Sequence, residues 1–270
     1  MGRHKLEPLT DTAALAWIDY CRAERVPANT IARRESVLRS VGNPTTATRE
    51  DIEAWWASRR DLAPSTRSND LATLRSFYKW ADRWDRRNDD PTRRLDAPKV
   101  DKGLPRPIGR AETLKLLKEL PDDLARAVAL GAYAGLRVSE AAALDWSNVD
   151  VDARRIHVLG SKGNKSRSVA VDPVLIDRLL PDVGGNVVTA GGKPYSAGTL
   201  QRKANRAIKA LGVDATFHQL RHRYGTMAYR ETRDLIAVGK QMGHSSPVTT
   251  AVYADSSDDV AVAIAAAVVR

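Results

Sequence analysis

The first 84 residues place their apolar side chains at spacings of three and four, the period of an amphipathic α-helix. In the last of these segments the apolar residues are Leu71, Leu74, Phe77, Tyr78 and Ala81. Capping residues or a proline mark four helix starts, at Thr10 or Asp11, after Pro27, at Thr48, and at Ser65 or Thr66. Because each helix can bury one apolar stripe, the pattern predicts a small four-helix domain.

The periodicity then stops in a stretch of charged residues that contains four prolines, Pro91, Pro98, Pro105 and Pro107. Such a stretch is typical of an extended, semi-rigid linker. A chain of 270 residues is also long enough for two domains of roughly 100 to 200 residues each. We therefore predict a helical domain over residues 1–87, a linker over 88–107 and a second domain over 108–270.

The second domain begins with helical periodicity that is interrupted at Gly135. In "RRIHVLGSKGNKSRSVAVD" two alternating segments flank a turn rich in Gly, Asn and Ser, which predicts a β-hairpin. Further helices are predicted at 173–180, 196–211, 215–229, 232–241, 246–254 and 258–269. The predicted fold class is mainly α, with a four-helix N-terminal domain and a mostly helical second domain that contains a small antiparallel β-sheet.

The charge balance favours a polyanionic partner. Lys and Arg number 43 against 33 Asp and Glu, a formal charge of +10, which is typical of proteins that bind nucleic acid. The single cysteine, Cys21, excludes an internal disulfide and a zinc site built on paired thiolates, and we expect it in the core. No apolar run is long enough for a membrane span or a secretory signal. We expect a soluble protein that stays inside the cell.

The stretch "FHQLRHRYGT" concentrates cationic side chains and contains no carboxylate. On a helix His218, Arg221 and His222 lie on one face. His244 stands before the predicted helix 246–254, and Tyr253 lies near the end of that helix. Because the planar fork of an arginine matches two oxygens of a phosphate, such a pocket is better suited to a phosphate anion than to a metal ion.

Two metal-dependent readings compete with this one. His218 and His222 have the H-x-x-x-H spacing of helical zinc proteases, but Gln219 stands where the catalytic Glu would be and Arg221 would lie beside the metal. A transposase that binds metal through carboxylates could use those of "LDWSNVDVD", Asp145, Asp150 and Asp152. Their place in a helix-to-strand turn favours capping roles instead. We predict no metal and no cofactor.

Two further stretches supply candidate groups. In "AYAGLRVSEAAAL", Glu140 follows Arg137 by three residues and could orient its guanidinium. The hairpin turn "GSKGNKSR" offers Lys162 and Lys165. The chemistry of these side chains suggests a role for each. Arginines could stabilise the charge of a phosphodiester under attack, Tyr253 could form a covalent phosphotyrosyl bond, and Lys162 could protonate the leaving oxygen.

The motifs "AYAGLRVSE", "GSKGNKSR", "HQLRH" and "MGHSSPVTTAVY", in this order, resemble the catalytic signature of the tyrosine recombinases, the phage integrase family that includes the Xer-type resolvases. "LAPSTRSNDLATLRSFYKWA" resembles the last helix of the family's core-binding domain, and "DDPTRRLDAPKVDKGLPRPI" resembles its interdomain linker. The resemblance covers nearly the whole chain. It implies six catalytic residues: Arg137, Lys162, His218, Arg221, His244 and the nucleophile Tyr253. Glu140 and His222 would support them.

The resemblance further implies a site-specific recombinase that cuts DNA through a 3′-phosphotyrosyl intermediate and exchanges strands through a Holliday junction. Its partners would be double-stranded core sites, and the protein would form a tetramer on paired sites. It would be cytoplasmic and associated with the nucleoid of a bacterial cell or a phage-infected host. The expected DNA contacts are Arg33, Arg34, Arg67, Arg75 and Arg223. The last of these departs from the family, which usually has a small hydroxylated residue there. Ser161 is a second departure, because the family's hairpin lysine usually follows glycine directly, and it leaves Lys162 and Lys165 both open as the general acid.

Two other functions remain open from the sequence. A type IB topoisomerase uses similar chemistry to relax DNA without a specific partner site. A non-catalytic DNA-binding protein would account for the charge and the first domain, although it would leave Tyr253 beside the cationic cluster without a role.

Overall fold

The computed structural model describes residues 8–100, 106–160, 166–179, 185–244 and 250–251. The chain divides into two compact units, Met1–Lys102 and Gly103–Arg270. The predicted helix 258–269 and most of the predicted helix 246–254 lie outside the described residues. Within the described part, no helix is both long and apolar enough to cross a bilayer.

The first unit contains the four predicted helices, α1 (Thr12–Ala23), α2 (Ala28–Val41), α3 (Arg49–Ser58) and α4 (Pro64–Arg83). Their apolar stripes meet in one core, whose most buried large side chains include Trp17, Ile18, Leu38, Ile52, Leu71, Leu74, Phe77 and Tyr78. Cys21 is buried in the same core, as predicted. The periodicity of the sequence therefore identified both the helices and the faces that they bury.

The helix starts were predicted with mixed success. Asp11 caps α1 by accepting a hydrogen bond from the Ala14 N–H at 2.9 Å. Thr48 and Asp51 form a capping box at α3. The predicted start of α4 at Ser65 or Thr66 is wrong, because this helix begins at Pro64. The fixed φ of proline suits the first helical turn, where its missing N–H costs no hydrogen bond.

Part of the range assigned to the linker is packed against the first unit. Thr92 and Leu95 are buried, and the Leu95 carbonyl accepts a hydrogen bond from the Arg75 guanidinium. Asp90 accepts hydrogen bonds from the backbone N–H and the hydroxyl of Thr92, which closes a local turn. The segment is therefore ordered by side-chain contacts that proline content alone does not indicate.

The second unit is mostly helical and contains two small antiparallel sheets. Its helices are α5 (Arg110–Glu119), α6 (Asp122–Tyr133), α7 (Val138–Ala143), α8 (Pro173–Leu179), α9 (Ala197–Ala210), α10 (Phe217–Thr232) and α11 (Leu235–Met242). Its strands are β1 (Val149–Asp150), β2 (Arg155–Val158), β3 (Arg167–Ala170), β4 (Thr189–Ala190) and β5 (Lys193–Pro194).

The predicted hairpin is confirmed as β2 and β3, which pair so that the buried residues Ile156 and Val169 lie opposite each other. The two-residue strand β1 adds to the outer edge of β2, giving the order β1, β2, β3. The strands β4 and β5 form a separate ribbon. The sequence did not predict these additions, because two-residue strands are too short to show alternation.

The helix α6 is buried over most of its length and packs closely on α10. At Gly131 a side chain would meet Leu220 and Phe217 of α10, with a Cβ only 3.3 Å from their nearest atoms. This close approach fixes the position of α10, the helix that carries His218, Arg221 and His222. The packing therefore determines where those three side chains lie.

Gly135 separates α6 from α7, which confirms the predicted interruption. Its φ of +64° is in the left-handed region, and a Cβ there would lie 2.5 Å from the ring of Tyr224. Only glycine satisfies both conditions without a shift of the neighbouring chain. The turn that it permits directs the Gly135 carbonyl to the guanidinium of Arg221.

Candidate active site

The C-terminal turn of α11 is the centre of the site. The helix ends at Met242, and Gly243 adopts a left-handed conformation with φ 67° and ψ 46°. The last carbonyls of any helix have no intrahelical donor. Here the carbonyls of Gly239 and Lys240 accept hydrogen bonds from the Gly243 N–H, and the His244 N–H also donates to Gly239. Backbone N–H groups thus satisfy the carbonyls of Gly239 and Lys240.

The next three carbonyls each accept a hydrogen bond from a different arginine: Gln241 from Nε of Arg167 at 2.8 Å, Met242 from Nη2 of Arg221 at 2.6 Å, and Gly243 from Nη2 of Arg137 at 2.9 Å. The C-terminal end of a helix carries partial negative charge, which favours cations. One helix end therefore holds three guanidiniums that come from β3, α10 and the start of α7.

Glu140 links the same three arginines from the other side. Its Oε2 accepts a hydrogen bond from the Arg137 backbone N–H at 2.8 Å, which caps α7, and its Oε1 accepts one from Nη1 of Arg137 at 2.8 Å. Arg167 forms a bidentate pair with the same carboxylate, with both distances at 2.8 Å. Nη1 of Arg221 lies 3.8 Å from Oε2. One negative charge is thus shared among three positive charges.

The ionisation of Glu140 follows from these contacts. Burial raises the pKa of this carboxyl, but the hydrogen bonds from Arg167 and Arg137 outweigh burial and bring the pKa to about 2. Glu140 is therefore an anion at neutral pH. With three arginines around it, the cluster keeps a net positive charge that a phosphate can complement.

The two arginines predicted to hold phosphate differ in exposure. The Arg221 side chain is 3% exposed and is held between the carbonyls of Gly135 and Met242. The Arg137 side chain is 32% exposed. Arg221 is therefore a fixed charge beneath the surface, whereas about a third of the Arg137 side chain is exposed.

Three histidines lie around the arginines. The rings of His218 and His222 are in edge contact, with centroids 4.4 Å apart. Nδ1 of His244 lies 2.8 Å from Oγ1 of Thr250. Gly239 makes room for this threonine, since a Cβ there would come within 2.8 Å of Oγ1.

Burial and the neighbouring charges keep these histidines neutral. Burial lowers the pKa of His218, and the charges of Arg221 and Arg137 lower it further. Burial is also the main reason why the pKa values of His222 and His244 are about 4. The next largest cause is His218 for the pKa of His222 and the charge of Arg221 for the pKa of His244. At pH 7 the described part of the site therefore takes its positive charge from arginine, and the imidazoles are neutral donors and acceptors.

Comparison with known proteins agrees with this arrangement. Residues 111–259 match the family model described as the phage integrase family. The chain is 31% identical to a tyrosine recombinase XerC of Herpetosiphon aurantiacus over 91% of both proteins. A XerC of Rhodospirillum centenum is 33% identical over 76% of this chain and 66% of its own length.

The chain belongs to the phage integrase family. Its fold also matches solved structures of integrases at lower sequence identity. A lambda integrase(75-356) dimer bound to a COC′ core site superposes with a TM-score of 0.76 at 18% identity, over 90% of this chain and 94% of the other. The Tn1549 transposon integrase in complex with transposon right end DNA gives 0.73 at 20%, over 96% and 100%. The family predicted from the motifs is thus confirmed, as is the fold class.

Most of the predicted site residues lie together in this family member. The described residues bring Arg137, Glu140, His218, Arg221, His222 and His244 to the end of α11. Lys162, Lys165 and Tyr253 lie outside the described residues. The chemical roles assigned to all of these side chains stay predictions.

Sequence analysis missed Arg167. It is the last letter of "GSKGNKSR", where an alternating strand pattern gives no sign of its contacts. Its carboxylate partner is 27 residues away in the chain. The one available signal was an arginine directly after a turn that already carried two candidate lysines.

The arginines predicted to bind DNA all contact their own unit. Arg33 pairs with Asp70 at 3.1 Å and keeps 42% of its side chain exposed. The other contacts are those of Arg34 with Cys21 and the Trp17 ring, Arg67 with the Trp56 ring, Arg75 with the Leu95 carbonyl, and Arg223 with the Ile108 carbonyl. Their contacts with DNA stay predictions.

Two of the three carboxylates of the transposase alternative have local roles. Asp145 accepts hydrogen bonds from Ser147, and Asp150 accepts one from the Ala153 N–H. Among the described residues, no group of three or more His, Cys, Asp or Glu side chains is arranged to hold a metal ion. This arrangement matches the turn-capping interpretation of the sequence.

The neutral histidines predict a pH dependence of stability. Because His222 and His244 have folded pKa values of about 4 against an ordinary 6.5, the unfolded chain binds protons first as the pH falls between these values. The free energy of unfolding should therefore be highest above about pH 6.5 and fall towards pH 4, by about 1 kcal/mol per histidine after allowance for partial exposure. Urea denaturation between about pH 4.5 and pH 7.5 measures this slope.

His244→Gln should flatten the slope, whereas His157→Gln, at an exposed position on β2, should leave it unchanged. Glu140 changes the free energy of unfolding at lower pH, below its ordinary pKa of 4.5, and it does so equally in all three proteins. If His244→Gln and the unsubstituted protein have the same slope, the imidazole is not held neutral by its surroundings.

Proposed function

We propose that this chain is a site-specific DNA recombinase that cleaves and rejoins strands through a 3′-phosphotyrosyl intermediate and a Holliday junction. The observation that carries the proposal is the pair Arg137 and Arg221, fixed at one helix end within a cluster of net positive charge. Family membership supplies the reaction type, and this pair supplies a phosphate cradle that suits it.

The charge of the reaction can be met by residues already in place. As a nucleophile attacks a phosphodiester, negative charge develops on the non-bridging oxygens. Arg137 is exposed enough to reach such oxygens, and Arg221 is held beneath it without freedom to reorient. Donors that need no rearrangement stabilise a transition state more than they stabilise the ground state. The same argument makes a metal ion unnecessary for charge neutralisation.

The proton transfers complete the proposed step. The Tyr253 oxygen bonds to phosphorus and gives up its proton to His218, whose imidazole is neutral and can accept it. The bond to the 5′-oxygen breaks, and that oxygen takes a proton from Lys162 or Lys165. The 3′-phosphate stays attached to the enzyme, so the energy of the broken bond is stored and the reverse step rejoins DNA without ATP.

The partners follow from the same proposal. We infer that the protein binds double-stranded core sites and forms a tetramer on paired sites, with residues 258–269 docked on a neighbouring subunit. A lambda integrase tetramer bound to a Holliday junction has the same fold as this chain, with a TM-score of 0.73 at 17% identity over 87% of this chain and 77% of the other. The formal charge of +10 also favours DNA.

The nucleophile is tested by trapping the covalent adduct on a nicked suicide substrate. The unsubstituted protein should form a protein–DNA adduct with or without EDTA. Tyr253→Phe should form none, because it lacks the attacking oxygen, and should bind DNA nearly as well, because the charges of the site remain. Tyr133→Phe, the same change against the core of the unit, should form the adduct normally.

An adduct that persists in Tyr253→Phe would remove this tyrosine from the mechanism. Inhibition by EDTA would return the metal-dependent alternatives. Relaxation of a supercoiled plasmid without exchange between paired sites would identify a topoisomerase, and DNA binding without any adduct would identify a non-catalytic binding protein.

The assembly is tested by measuring the mass of complexes in solution. The full chain should be a monomer or weak oligomer alone and a tetramer on paired full sites. Deleting residues 258–269 should spare the binding of one protomer to a half-site but abolish cooperative assembly and recombination. Normal recombination by the truncated protein would contradict docking on the neighbour, and so would unfolding of the truncated protein, since these residues would then belong to their own domain.

A further inference from the structure

Arg167, the first residue of β3, makes several contacts in the site, although the proposed reaction assigns it no role. Its Nη1 and Nη2 bind the two oxygens of Glu140, and its Nε donates to the Gln241 carbonyl. Its side chain is 10% exposed. Each of its three nitrogens is therefore committed inside the protein, in a geometry unsuited to a phosphate ligand.

The backbone beside Arg167 leaves space for its guanidinium. A Cβ at Gly243 would lie 2.8 Å from Nη1 of Arg167. The left-handed φ of 67° at this residue also favours glycine. Both properties of Gly243 thus allow the guanidinium to lie against the end of α11, between Glu140 and the carbonyl of Gln241.

The bidentate pair changes what Glu140 can do to the other arginines. A carboxylate forms its strongest contact with a guanidinium through two parallel hydrogen bonds. Arg167 occupies that arrangement, so Arg137 donates only one side-chain hydrogen bond to the carboxylate, and Arg221 remains 3.8 Å away. Without Arg167, the same carboxylate could pair fully with Arg137, and that guanidinium would be lost to a phosphate.

We propose that Arg167 is a positioning residue of the active site, which takes up the charge of Glu140 and so keeps Arg137 available for the scissile phosphate. The inference rests on the proposed function. It assigns to Arg167 no contact with DNA. It also gives Glu140 two separable properties, a shape that caps α7 and a charge that must be balanced.

The test is the first-order rate of cleavage of nicked DNA in a single turnover, with DNA affinity measured in parallel. Arg167→Met should slow cleavage by about a hundredfold or more, as expected when one charge-stabilising arginine is lost to the phosphate. DNA affinity should change by less than about threefold, since the arginines at the scissile phosphate affect the cleavage rate more than general DNA binding. Arg167→Lys should fall between, because lysine keeps the charge but loses the fork.

The double variant Arg167→Met/Glu140→Gln separates charge from structure. If Arg167 works by balancing a carboxylate, a neutral amide no longer competes for Arg137, and cleavage should recover by about tenfold relative to Arg167→Met. If Arg167 only holds β3 in place, the second substitution removes further hydrogen bonds, and cleavage should stay equal or become slower. The second result, in a folded protein, overturns the proposal.

Arg155→Met is the matched control, because Arg155 lies on the other strand of the same hairpin and its guanidinium donates a hydrogen bond to the Ser168 hydroxyl at 3.4 Å. It should cleave as the unsubstituted protein does. Thermal melting of every variant reports folding. If Arg167→Met does not fold, Arg167→Lys decides: slow cleavage by a folded protein supports the proposal, and normal cleavage overturns it.

The unsubstituted protein distinguishes this inference from the proposed function. If it forms no adduct at all, the proposed function fails. If it cleaves normally and Arg167→Met cleaves at the same rate, the proposed function stands and the role of Arg167 is wrong.

Discussion

Three consecutive carbonyls at the end of α11 hold the site together. A helix terminus must find donors for its last carbonyls, and here the donors are side chains from three separate parts of the chain. Each arginine therefore satisfies the helix and is itself oriented by it. The left-handed turn at Gly243 ends the helix at this point, and His244 follows at once.

The described side chains of the site carry more positive than negative charge, which favours the binding of a phosphate. Among the described residues, three buried or half-buried guanidiniums face one carboxylate and the partial charges of a helix end. Isolated charges of this kind would be costly to bury, but each has several hydrogen bonds. Because the histidines stay neutral, they add no positive charge to that of the arginines at neutral pH. An incoming anion would complete the set and find donors already in position.

Sequence reasoning recovered what depends on local pattern. Helical periodicity gave the four-helix unit, alternation gave the β2–β3 hairpin, and Gly135 gave the break before α7. The contact between Arg137 and Glu140 was also accessible, because a spacing of three residues places both at one helix start. The grouping of His218, Arg221 and His222 followed from the same geometry.

What the sequence did not show depends on contacts between distant segments. Arg167 and Glu140 are far apart in the chain, and their pairing requires the hairpin, α7 and α11 to be assembled first. Leu95 is buried because Arg75 and the first unit's core are beside it, although prolines surround it in the sequence. The start of α4 was misplaced because capping hydroxyls were weighed above the proline that precedes them.

The most direct test of the account is a structure of Tyr253→Phe bound to a duplex that carries the scissile phosphate. The account predicts that non-bridging oxygens lie within about 3 Å of guanidinium nitrogens of Arg137 and Arg221. Arg167 should still hold both oxygens of Glu140, and the three carbonyls of α11 should keep their arginines. A phosphate bound directly by Arg167, or a Glu140 paired fully with Arg137, would contradict it.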